Sequence, residues 1–262
     1  MGMLEGKVAV IYGAAGGVGG AVARAFVREG ASVFLAGRTL APLQLLATEL
    51  TKAGGVAEAG TVDATDPRRT EEHLQSVLRK AGRLDISCNL ISTNVKMGAL
   101  LTKLTEQQFS EAAFIRARSN FVTATAAARI MEPQGRGVIL GITAITARIP
   151  RANQGGFAIG GAAIEALLRQ LALEVGPAGV RVVCLRTHGT PDNPVLDEVF
   201  SYLAKQAGTT KEAIEKQNAD SVALKRLPRL AEVANAMALI ASDYASTITG
   251  TAVNASCGDV VD

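Results

Sequence analysis

The first residues able to do chemistry are glycines. Tyr12-Gly13-Ala14-Ala15-Gly16-Gly17-Val18-Gly19-Gly20 lies between a short apolar run, Lys7 to Tyr12, and a helical pattern that ends at Gly30. Gly13 permits a tight turn. Gly17 and Gly19 let an anion and the neighbouring strand come close to a helix N-terminus, whose free N–H groups favour a phosphate. Glycines also mark ordinary turns. The position after a first strand and before a first helix is what makes this run a nucleotide-binding turn, with Ala15, Gly16 and Val18 completing the cradle. The second apolar run ends Ala36-Gly37-Arg38-Thr39. A ribose diol calls for a carboxylate there, and none is present. Arg38, with Thr39 beside it, offers a guanidinium that pairs with a 2′-phosphate, so NADP(H) is expected in preference to NAD(H). The bland alternative is a surface arginine with no ligand. Asp63, followed by Ala64, is placed to accept from an adenine amino group, and within "DATDP" it serves equally well as a turn or cap residue.

A second group of residues lies further on. Thr143 and Thr146 follow a fifth apolar run, and His188 follows a sixth. A threonine hydroxyl can bind an oxyanion, and a histidine titrates in the range useful for acid catalysis. Each also has a structural reading: a strand-end hydrogen bond for Thr143, a solvated or packed loop residue for His188. Between them lies "GGFAIGGAAIEAL", Gly155 to Leu167, a helix start carrying two adjacent glycines, Gly160 and Gly161. Each glycine costs about 1 kcal/mol against alanine in a helix interior.

The elements that must position these residues alternate. Lys7–Tyr12, "SVFLAG", "VAEAGTVD", "LDISCNLI", "GVILGI", "VRVVCL" and "TAVNAS" read as strands, about seven in all. Helical patterns fall between them. One opens at Asp66 as N-cap with Pro67 behind it, and a long alanine-rich one runs from Glu106 to Met131 with Thr105 as its cap. Continuous apolar strands alternating with helices predict a doubly wound parallel sheet of Rossmann type, an α/β fold in three layers. One NAD(P)-binding domain, 1–262, is expected, with a substrate lid in the irregular stretch 186–228.

Composition narrows the classes. The 262 residues are nearly half hydrophobic, with no tryptophan, so the core is aliphatic and alanine-rich. A net charge of +3, spread along the chain, gives no nucleic-acid footprint, and "KRLPR" (Lys225 to Arg229) reads as a solvated turn. No stretch is apolar enough to span a membrane, and the start lacks a signal-peptide layout, so a cytoplasmic setting is expected. Cys88, Cys184 and Cys257 are far apart and, with only His73 and His188 as histidines, no metal site is expected.

Taken together these motifs resemble the short-chain dehydrogenase/reductase family. The carriers are Gly13-x3-Gly17-x-Gly19, Asp63-Ala64, "LDISCNLIS", "RSNFVTA" with Asn120, and the C-terminal "RLPRLAEVANAMALIASDYASTITGTAVNASCG". The resemblance covers essentially the whole chain. It implies hydride transfer between a nicotinamide cofactor and a carbonyl or alcohol, using a tyrosine acid, a lysine four residues later, a serine and an asparagine. Carried over, the asparagine is Asn120, the serine position is Ala144 with Thr143 beside it, the tyrosine is Phe157 and the lysine is Gly161. The family's Asn-Asn-Ala-Gly segment reads Asn89-Leu90-Ile91-Ser92, which assigns Asn89 and Leu90 to the cofactor. Its Pro-Gly after strand six reads Thr187-His188, and its leading threonine is Tyr12. The resemblance also implies a homodimer or homotetramer built on helices Glu106–Met131 and Phe157–Val175, although their small residues fit equally well with close packing inside one subunit. Three readings stay open: an oxidoreductase on an unknown carbonyl or alcohol with an atypical proton source (Asn120, Thr143 or His188), a non-catalytic NADP(H)-binding sensor or oligomer partner, and a lyase or isomerase reusing the pocket.

Overall fold

A computed structural model describes residues 2–92 and 99–261. Seven strands form one parallel sheet in the order β3-β2-β1-β4-β5-β6-β7: β1 (Val8–Tyr12), β2 (Ser32–Gly37), β3 (Ala57–Thr61), β4 (Ile86–Asn89), β5 (Gly137–Ala144), β6 (Val180–Thr187) and β7 (Thr251–Ala255). The order reverses between β1 and β4, and in open α/β sheets ligands bind beyond the strand ends at such a point. Helices α1 (Gly17–Arg28), α2 (Leu40–Lys52), α3 (Pro67–Ala81), α4 (Glu106–Gln134), α5 (Phe157–Val175), α6 (Pro194–Ala207), α7 (Lys211–Ser221) and α8 (Leu230–Ala241) complete the fold.

The inner strands are buried on both faces because their side chains alternate between two cores, while edge strands β3 and β7 stay partly open. Ile11, Leu35, Leu140 and Leu185 pack against Val22, Phe26, Leu43 and Met237 of α1, α2 and α8. Val10, Phe34, Ile139 and Val182 pack on the other side against Leu74, Ala127, Met131, Ile164 and Leu168 of α3, α4 and α5. Such two-sided burial selects continuous apolar runs. Tyr12 belongs to the second core, fully buried.

Local signals set the helix starts. The Asp66 carboxylate accepts from the Arg68 and Arg69 N–H groups, with Pro67 behind it. Thr105 and Gln108 form a reciprocal capping box at α4. Two expected boundaries move. β6 runs on through Thr187, because Arg186 pairs with Thr143 and Asn254, and Thr187 with Ala144 and Ala255. The stretch expected as a lid therefore begins beyond the strand, not at 186. α4 runs past Met131 to Gln134, taking Pro133 into its last turn before the left-handed Gly135 ends it. Helices α6 and α7 share a small core of Phe200, Ala204, Ile214, Val222 and Leu227.

Candidate active site

The phosphate turn is built backbone to backbone. Gly13 has φ 78° and lies against the Leu90–Ile91 peptide, where a Cβ would come 2.8 Å from the Leu90 carbonyl oxygen. A Cβ on Gly19 would come 2.2 Å from the Gly13 carbonyl oxygen. Only glycines let these three segments meet. Gly16 caps α1 without a side-chain bond, so the N–H groups of the first turn face outward for an anion. Ala15 and Gly16 are exposed, while Val18 packs partly into the core. A cleft of about 370 Å³ opens beside the turn, lined by Ala14, Ala15, Gly16, Gly17, Arg24 and Pro194.

Arg38 stands exposed where β2 ends, and Thr39 caps α2 without a side-chain bond. Asp63 accepts from the Thr65 N–H (3.0 Å) and hydroxyl (2.7 Å), both on Oδ1. Those bonds hold its carboxyl below the usual range, helped by the positive charges of Arg38 and Arg118. The turn role foreseen for Asp63 is thus present, and Oδ2 is left out of it. Ala64 is buried behind it. Asn89 spends its side chain inside the fold, donating to the Thr123 hydroxyl (2.9 Å) and accepting from the Ile91 N–H (3.1 Å). Leu90 is buried as well, so neither side chain is free at the surface.

At the other end, Ala144 closes β5 and Phe157 opens α5, half-buried. The two helix glycines have different neighbours. A Cβ on Gly160 would come 2.5 Å from the Ala113 carbonyl oxygen of α4, and one on Gly156 2.7 Å from that of Phe109. A Cβ on Gly161 would meet the Ala147 methyl at 3.1 Å. Small residues thus pack α5 on α4 within one subunit.

The expected hydroxyl and imidazole are both turned into the protein. The Thr143 hydroxyl donates to Glu165 Oε1 (2.8 Å) and touches Cys184 Sγ (3.5 Å). Glu165 also receives Arg186 through two bonds, Nε–Oε1 at 2.9 Å and Nη2–Oε2 at 2.7 Å, with Arg169 3.7 Å away. Burial pushes the Cys184 thiol up to about 12. His188 is buried, with Nδ1 3.4 Å from the Gly189 carbonyl oxygen and Nε2 3.8 Å from Asp259, which itself pairs with Arg151 at 3.0 Å. Burial lowers the His188 pKa more than Asp259 restores it. Asn120 is buried and donates to the Arg116 carbonyl oxygen (2.9 Å). Thr146 is buried without a hydrogen-bond partner for its hydroxyl.

The side chain nearest Phe157 in charge and position is one the sequence reading missed. The Arg116 guanidinium, one helical turn before Asn120, lies 4.9 Å from the Phe157 ring centroid. Glu165, Arg186 and Asp259 were missed too. A signal existed: Arg116 shares a helical stripe with Ala112, Ala113 and Asn120, and Glu165 sits between Ile164 and Leu168, so each puts a charge on an otherwise small or apolar face.

Comparison with known proteins agrees with the geometry. The family model described as enoyl-(acyl carrier protein) reductase matches residues 13–258. The chain is 29% identical over 248 residues to the 7alpha-hydroxysteroid dehydrogenase of Clostridium sardiniense, covering 94% of this chain and 90% of that protein. It is 28% identical over 251 residues to short chain aldehyde dehydrogenase 1 of Euphorbia lathyris, covering 94% and 85%. The crystal structure of sorbitol-6-phosphate 2-dehydrogenase SrlD from Erwinia amylovora superposes with a TM-score of 0.91 at 24% identity, covering 97% of this chain and all of that one. From glycine turn to last strand, this chain belongs to the short-chain dehydrogenase/reductase family.

Proposed function

We propose that the chain binds NADP(H) in preference to NAD(H) and is an oxidoreductase for a carbonyl or alcohol whose acid–base catalysis is impaired. The observation that carries the cofactor choice is Arg38, which is exposed at the end of β2 and, among the described residues, makes neither a hydrogen bond nor an ion pair, its charge acting only through space on Asp63. An unspent guanidinium at the end of β2 suits a 2′-phosphate and not a bare ribose diol. The uncapped first turn of α1 suits the pyrophosphate, and Oδ2 of Asp63, left out of the Thr65 turn, would accept from the adenine amino group. When bound, the nicotinamide supplies or accepts the hydride.

What the described residues do not offer is a positioned proton. Phe157 has none to give, Gly161 carries no charge, and the Thr143 hydroxyl is committed to Glu165. A substrate oxygen at this corner takes its proton from water, which forfeits about 10²–10⁴ in rate. The same commitments of Thr143 and His188 favour a second reading, a non-catalytic NADP(H)-binding protein. Exposed Phe114, Ile115 and Phe121 on α4 support a homodimer or homotetramer through that face. Helices α6 and α7 would serve as the substrate lid. Fluorescence titration with NADPH and NADH, followed by single-turnover oxidation with aldehydes, ketones and quinones, tests both. NADH binding as tightly as NADPH defeats the cofactor assignment. Tight NADPH binding with no hydride transfer selects the second reading.

A further inference from the structure

Arg116 is 5% exposed, and its surroundings do not neutralise it. Among the described residues its guanidinium makes one hydrogen bond, a long one from Nη2 to the Ile142 carbonyl oxygen at 3.3 Å. Nε and Nη1 are buried and find no partner among the described residues. Glu165, the buried carboxylate of α5, is already held by Arg186 and Thr143. Among the described residues no acidic group pairs with Arg116. Burial accordingly lowers its pKa, and the one group that opposes this is the Cys184 thiol. A buried cation with idle donors is costly unless something pairs with it.

The location says what that something is. Ile142 lies two residues before Ala144, at the sheet edge where a substrate oxygen would meet the cofactor. The guanidinium is covered on one side by the Phe157 ring. The chain enters Phe157 through Asn153 and Gly155, both left-handed, at φ 64° and 54°. The ring therefore sits on the first residue of α5, directly behind an irregular segment. A cation–π contact stabilises the charge only modestly, so an anion that displaced the ring would gain a charge-assisted bond to Nε–H and Nη1–H.

We propose that Arg116 is an oxyanion-binding residue, and that the substrate carries a carboxylate or a phosphate ester close to its reacting carbon. The proposal rests on the reading of this corner as the substrate end of an NADP(H) cleft. Here the positive charge absent at Gly161 is supplied from α4, directed at the substrate.

The test is calorimetric titration of the full chain, with and without saturating NADPH, using hexanoate, hexyl phosphate and the neutral hexanamide. Either oxyanion should bind about tenfold or more tightly than the amide. Arg116→Met should erase that preference, and Phe157→Ala, which uncovers the guanidinium, should enlarge it. Equal binding of all three probes, no binding of any, or a preference that survives Arg116→Met overturns the proposal. If Arg116→Met does not fold, Phe157→Ala decides alone: an unchanged preference counts against. Failure of NADPH to bind, with the oxyanion preference intact, would sink the cofactor reading and spare this one.

Discussion

Gly160 of α5 and Ala113 of α4 touch backbone to backbone: a Cβ at 160 would come 2.5 Å from the Ala113 carbonyl oxygen, whereas its neighbour Gly161 faces only the methyl of Ala147, at 3.1 Å. The adjacent glycines are therefore not equivalent. Gly160→Ala should destabilise the chain by about 1–3 kcal/mol through overpacking. Gly161→Ala gains about 1 kcal/mol of helix propensity against a small adjustment of Ala147, and should be near neutral. Urea midpoints of the two variants check this; equal losses would contradict the assignment of the contact.

The Glu165–Arg186 pair is buried and doubly bonded. Glu165→Ala leaves Arg186 and Thr143 facing a void and should cost about 3–5 kcal/mol. Replacing the pair together, Glu165→Leu with Arg186→Met, should recover most of the loss. Chemical denaturation of the three proteins distinguishes a structural ion pair from a surface one.

Arg38→Ala should weaken NADPH binding by about 10–100-fold, the worth of a charge-assisted pair of bonds, and leave NADH binding within about twofold. Fluorescence titration with both cofactors reads the difference. An unchanged NADPH affinity would refute the role given to Arg38.

Restoring Ala144→Ser, Phe157→Tyr and Gly161→Lys together should raise single-turnover carbonyl reduction by about 10²–10⁴. Phe157→Tyr alone should do much less, because without a lysine at Gly161 nothing holds the nicotinamide ribose beside the phenol, and Arg116 lies against the ring face rather than its tip. No gain from the triple variant would place the defect elsewhere in the cleft, with Arg116 as the first suspect.

Both histidines are held neutral. Burial takes His73 from 6.5 to about 4 and lowers His188 as well. Their folded pKa values lie below the unfolded ones, so protonation favours the unfolded chain. The His73 contribution is complete above about pH 6.5 and is lost as pH falls towards 4, and His188 adds a loss of the same sign as pH falls. Melting temperature should fall steadily over that window, and His73→Gln should flatten the slope. A flat profile in the parent protein would show that neither imidazole is protected.

The fold was legible because its signals are local. Glycines at 13 and 19, the Asp66-Pro67 start and the Thr105 cap each act within a few residues, and the strands announce themselves as continuous apolar runs. The site was legible only where motif residues act through backbone, as in the phosphate turn. What could not be read is where long side chains go. Thr143 was visible as a hydroxyl near a strand end, but its partner Glu165 lies 22 residues away on another element. Arg116 is one charge among several in a long alanine-rich helix, and nothing local shows its role until α5 is laid over it. The end of β6 was misplaced for the same reason: Arg186 and Thr187 look like loop residues until their neighbours on β5 and β7 are known.

The backbone contact between α4 and α5 also sets a time scale. Helices locked at Gly156 and Gly160 cannot slide past one another, so Arg116 cannot be uncovered by a slow relative motion of the two. Only rotation of the Phe157 side chain, or a shift of the short segment that leads into it, can do so. Side-chain and loop motions of this kind run in picoseconds to microseconds. Oxyanion association should therefore be a single phase, linear in ligand concentration, with no rate-limiting isomerisation.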